Sequence, residues 1–137
     1  MITYTIDAAA GLVICRVQHG ISVLDVANYI QALMRDPNFT PGCDALVTIA
    51  DVASIPPFEM LRYLQPLISG WTARRGAAKW ALVLPNEVAR TMAQTALQHL
   101  PLHDVQACCF VHEAEARAWL GPRPSREPAA RESGAAI

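Results

Sequence analysis

Strand-sized apolar runs alternate with segments of helical period along most of this chain, and that alternation constrains its fold more than any other feature. Leu12–Val17 (LVICRV) is apolar on both faces, as an interior strand is. "DALVTIA", "AKWALVLP" and "DVQACCFV" are further apolar, β-branched or aromatic runs of strand length. Between them lie longer stretches whose apolar residues recur every three to four positions. Strands separated by a helix each are free to run parallel, whereas a two-residue turn would force them antiparallel. The predicted order is ββαβαβαβα, an α/β fold with a mixed, mainly parallel five-stranded sheet and about four helices.

The individual elements carry their own signals. Ile2, Tyr4 and Ile6 alternate with Thr3 and Thr5, and "DAAAG" supplies a turn, so the chain opens as a β-hairpin with Gly11 free to take a positive φ. Ser22 is placed to cap the first helix, with Asp25 as the acid of a capping box and Val26, Ile30 and Leu33 as its buried stripe. Pro37 ends it. The second helix is expected from about Pro56 to Gly70, with Phe58, Leu61, Leu64, Ile68 and Trp71 at helical spacing. Met60, Leu67 and Trp71 broaden its apolar side, which suits burial against a second subunit or over an apolar pocket. Asn86 is expected to cap the third helix, with Val88, Met92 and Ala96 facing inward. His112 opens the last helix, "EAEARAWL".

Composition narrows the function classes. The chain has 137 residues and is 53% hydrophobic, enough for one domain with a sizeable core. A net charge of −1 gives no electrostatic case for nucleic acid or for an anionic membrane surface. No apolar run approaches the ~20 residues of a membrane span. The opening "MITYTID" lacks the pattern of a signal peptide, so a cytoplasmic location is expected. Cys15, Cys43, Cys108 and Cys109 form no C-x-x-C pair and are read as small buried hydrophobes in a reducing compartment. From Gly121 the composition shifts to Pro, Arg, Glu, Ser and Ala; residues 1–120 are read as the domain and 121–137 as a disordered tail.

Sites are sought where chemistry-bearing side chains gather. "TIADVASIPPFEM" runs from a strand end into a helix, the junction where open α/β sheets meet ligands. Asp51, Ser54 and Phe58 there suit a polar rim on a ligand or partner surface; alternatively Asp51 or Ser54 caps a turn and Phe58 packs inward. Arg74 and Arg75, with Lys79, are expected in a loop that grips a phosphate or an acidic partner, or that is merely solvated. Trp71, expected at an exposed helix end, is the candidate interface anchor, whereas Trp80 and Trp119 are read as core. His99, His103 and Asp104 have metal-like spacing but lack a fourth ligand. No G-x-S-x-G, H-E-x-x-H, P-loop or G-x-G-x-x-G is present, so no catalytic residue, metal or cofactor is assigned.

The segments "GISVLDVANYIQALMRDP", "DALVTIADV", "AKWALVLP" and "CCFVHEAEARAWL", in the order ββαβαβαβα, resemble STAS domains, the sporulation anti-sigma-factor-antagonist type. The chain is most similar to the bacterial SpoIIAA-like (STAS/SEC14-like) family, over roughly residues 2–120. The resemblance implies a domain used for binding or regulation and not a defined enzyme; the first reading is a non-catalytic regulatory or protein-interaction domain, expected as a homodimer. The phospho-acceptor serine that such antagonists carry at the start of the second helix aligns with Pro56 and Pro57 here, neither of which accepts phosphate. The SEC14-like side implies an alternative, a carrier or sensor of a small apolar ligand. An enzyme of unrecognised type is a third reading.

Overall fold

The structure, a computed structural model, describes residues 1–51, 58–75, 77–99, 102 and 104–121. Its elements are β1 (Ile2–Asp7), β2 (Leu12–Val17), α1 (Val23–Arg35), β3 (Asp44–Ile49), α2 (Phe58–Arg75), β4 (Ala78–Val83), α3 (Glu87–Leu97), β5 (Val105–Phe110) and α4 (Glu113–Leu120). The order ββαβαβαβα is the expected one. The tail beyond Gly121 lies outside the described residues.

The five strands form one mixed sheet in the order β1-β2-β3-β4-β5. β1 and β2 pair antiparallel, Tyr4 opposite Cys15; β2–β3, β3–β4 and β4–β5 pair parallel. Gly11 closes the hairpin at φ 63°, a conformation in which a side chain would crowd the backbone.

Strand periodicity divides the sheet cleanly into two faces. Val13, Cys15, Ala45, Ile49 and Cys109 lie on one face, under Ile30 and Leu33 of α1, Trp71 of α2, and Ala89 and Ala93 of α3. Leu12, Leu46, Ala81 and Val83 lie on the other, under Ala116 and Leu120 of α4. The spatial order explains the distribution. Each parallel crossover steps to the next strand in the same direction, and right-handed crossovers of that kind lay their helices on a single face. α4 follows the last strand and is free to cover the opposite face.

Local signals place the helices. Ser22 Oγ accepts the Asp25 N–H at 3.1 Å while an Asp25 carboxylate oxygen accepts the Ser22 N–H at 3.0 Å, a complete capping box. That backbone hydrogen bond, first among several causes, holds the Asp25 carboxyl below the usual range. Asn86 Oδ1 likewise accepts the Ala89 N–H at 2.9 Å and starts α3. His112 precedes α4 without a side-chain cap.

Two expectations are corrected. The inner face of α3 is formed by Ala89 and Ala93, while Val88 and Met92 are exposed. α2 does not end near Gly70 but runs to Arg75, so Arg74 and Arg75 belong to its last turn and not to a loop. It also passes through Pro66, which removes one helical N–H without ending the element.

Candidate functional site

The residues singled out in the sequence do not converge. Asp51 lies half-buried just beyond the C-terminal end of β3. Ser54 falls outside the described residues; Phe58 opens α2, but its side chain, like those of Arg74 and Arg75, is outside them too. β3 and β4 are parallel, so α2 carries the chain from one end of the sheet back to the other. At ~1.5 Å per residue its 18 residues separate Phe58 from Arg75 by ~25 Å. The junction after β3 and the paired arginines therefore sit at opposite ends of the sheet.

Trp71 is not at an exposed end. It is 7% exposed and stacks on Trp80 of β4 with ring centroids 5.3 Å apart. Tyr29 of α1 meets it edge-on at 6.4 Å, and Tyr4 of β1 meets Tyr29 at 5.7 Å. The aromatic row ends where the Tyr4 hydroxyl donates to Asp36 at 3.0 Å. Burial, first among the causes, and that carboxylate raise the Tyr4 pKa. These rings fill space between α1, α2 and the sheet, so the indole expected at an interface is core instead.

A groove that the sequence did not announce lies at the N-terminal ends of β3, β4 and β5. It has a volume of about 260 Å³ and is lined by Asp44, Lys79, Asp104 and Gln106 with Ala77 and Ala78. Asp44 is 1% exposed. Its Oδ1 accepts the Lys79 N–H at 2.8 Å, and its own N–H donates to the Gly11 carbonyl at 3.0 Å. The carboxylate thus fastens the start of β3 to β4 while the backbone fastens it to the hairpin turn. Lys79 points its ammonium elsewhere: Nζ lies 3.4 Å from the Trp119 carbonyl oxygen and 5.4 Å from the Trp119 ring centre. That is the C-terminal end of α4, where carbonyl dipoles favour a cation. The available signal was an acid opening an otherwise apolar strand, in "CDALVTIA".

Two of the buried thiols are poorly suited to nucleophilic chemistry. Burial pushes the Cys15 thiol up to about 11 and the Cys109 thiol up to about 11, so both are neutral near pH 7 and weak nucleophiles. Asp104 takes a positive φ of 56°, and its carbonyl accepts the Ala78 N–H at 3.0 Å. His103 falls outside the described residues, among which no group of three His, Cys, Asp or Glu is placed to hold a metal ion.

The outer surfaces of α1, α2 and α3 are different in kind. Val23, Leu24 and Met34 on α1, Tyr63 and Leu67 on α2, and Val88 and Met92 on α3 are all exposed. Tyr63 is 78% and Val88 69% exposed, and each has an apolar neighbour one turn further along its helix. Gln65 Nε2 of α2 donates to the His99 carbonyl at 2.9 Å, just after α3, and links the two helices. A scan against protein-family models, a search of curated proteins and a search of solved structures each return no match to this chain. Among the described residues no helix is long and apolar enough to cross a membrane.

Proposed function

We propose that this chain is a non-catalytic regulatory or protein-interaction domain of the STAS, SpoIIAA-like kind, working without the phospho-acceptor serine of the antagonists it resembles. The observation that carries the reading is the set of large apolar side chains exposed on α1–α3. Large exposed apolar residues are unremarkable singly. Here they recur on all three helices of one layer, as the pairs Tyr63/Leu67 and Val88/Met92. A layer that buries one side against the sheet and also exposes several large apolar side chains is suited to a protein partner. The element order and the mixed sheet make the chain an α/β domain, the class to which the family reading belongs.

The carrier reading calls for an apolar chamber between the sheet and α2. In that region Trp71 stacks on Trp80 at 5.3 Å. No observation favours this reading over the first.

The test is a photo-crosslinking amino acid placed at Val88 or Tyr63, with a control at Thr5, which is exposed on β1. Adducts at the two helix positions in the cell of origin, suppressed by Val88→Asp in the Tyr63-labelled chain and absent at Thr5, are the expected result. Equal labelling at all three positions would sink the reading, and an apolar small molecule retained in native mass spectrometry would replace it with the carrier.

A further inference from the structure

The sheet has two edges, β1 and β5. β5, VQACCF, contains no charged residue and no proline, and its register with β4 is continuous from Val105 to Phe110 without a bulge. Charges, prolines and bulges are the usual devices that stop an exposed edge from pairing with another chain. β1, by contrast, ends in Asp7.

Backbone directions along β5 follow from two hydrogen bonds at its ends. The Ala78 N–H donates to the Asp104 carbonyl at 3.0 Å, and the Leu84 N–H donates to the Phe110 carbonyl at 2.8 Å. Both even-numbered carbonyls point at β4. A residue in a strand turns its N–H and C=O to the same side, and successive residues alternate. Gln106 and Cys108 therefore also face β4, while Val105, Ala107 and Cys109 turn their N–H and C=O groups to the open edge. Among the described residues no strand pairs with that edge.

We propose that β5 pairs antiparallel with β5 of a second copy of this chain, about a two-fold axis through Ala107, to make one continuous sheet across a homodimer. This register brings Ala107 opposite its own counterpart and Val105 opposite Cys109 of the second copy. Every outward N–H and C=O of the three residues then meets a complementary group. Paired residues keep to the same face of the sheet, so the α4 face of one copy continues into the α4 face of the other. A second copy is the occupant that fits because the operation demands self-complementarity. An uncharged strand with alanine at the axis meets its own image without repulsion or bulk. α3 rests on β5 through Ala89 and Ala93 against Cys109, and the axis sets it beside its counterpart. The charge on Arg90 of that helix is already matched by Glu87 at 2.8 Å. Dimerisation moves from Trp71, which is core, to a backbone edge.

Sedimentation and light scattering in reductant should give twice the 14.9 kDa chain mass at micromolar concentration. Ala107→Pro deletes an outward N–H that the fold does not use, and proline is tolerated on an edge. It should raise the dimer dissociation constant at least about tenfold, with the circular dichroism and thermal midpoint of the parent. Register is read separately, so the proposal does not depend on how that variant folds. Gln106 stands opposite Cys108 of the second copy, a non-hydrogen-bonded pair with Cα atoms ~4.5 Å apart. Gln106→Cys should give a covalent dimer on mild oxidation, and adding Cys108→Ser should abolish it. A monomeric parent chain, a folded proline variant that stays dimeric, or a crosslink that survives the second substitution overturns the proposal. Tyr63→Asp, on α2 and not on the helix that rests on β5, should leave this dimer intact, so failure here and failure of the helical-surface reading are separable.

Discussion

Trp71 shows how one side chain ties the helical layer to the sheet. It is 7% exposed, stacked on Trp80 and met edge-on by Tyr29, so α1, α2 and β4 share it. Trp71→Ala removes a large buried ring whose space the neighbours cannot refill, at a cost of about 3–5 kcal/mol measured by urea unfolding. Its monomer–dimer equilibrium should be unchanged at temperatures where the variant is folded. The helical spacing of Trp71 was legible in the sequence. Its burial was not, because a tryptophan near a helix end serves equally as anchor or as core until a partner ring such as Trp80 is known to lie beneath it. Asp44 poses the reverse difficulty. One acid in an apolar strand gives no hint that it holds the Lys79 N–H at 2.8 Å, since the acceptor and donor are 35 residues apart.

At the scale of the element, the first helix is local chemistry almost throughout. Ser22, Asp25 and the stripe of Val26, Ile30 and Leu33 act where the sequence places them. Ser22→Ala deletes the capping acceptor and should cost ~1 kcal/mol by chemical denaturation, because the Asp25 N–H is then satisfied only by water. The third helix shares the clear start at Asn86 but turns a different face inward. Val88–Met92 and Ala89–Ala93 both follow the i, i+4 spacing, so periodicity alone does not choose between them. Hydrophobicity favours the larger pair, yet the sheet takes the alanines: both are at most 5% exposed, against Cys109, Ile49 and Leu84. Small side chains let α3 approach the strands closely, and the displaced Val88 and Met92 become the exposed surface on which the functional reading rests. In α2 the expected end at Gly70 was overridden, since a single glycine inside a packed helix costs only ~1 kcal/mol.

At the scale of the whole molecule, the described residues form a sheet with three helices on one face and one on the other, and their buried sulfur gives a pH signature. The folded-state pKa values of Cys15 and Cys109 are about 11, above the thiol's ordinary ~8.5. Both contribute stability that is complete below the unfolded value. It is lost as pH rises from there through about 11, because the unfolded chain ionises first. Thermal midpoints should fall over that alkaline window, and Cys15→Ala should shallow the fall. By itself the sequence determined the element order, the hairpin, the parallel crossovers and the capping of α1 and α3. Each of these depends on residues a few positions apart, where propensity, period and turn chemistry act. Only the tertiary structure decided the phase of α3, the burial of Trp71, the fastening of β3 to β4 through Asp44 and the opposite placement of Asp51 and the α2 arginines. Those depend on which elements become neighbours, and close packing between distant segments selects among faces that local patterning leaves equivalent.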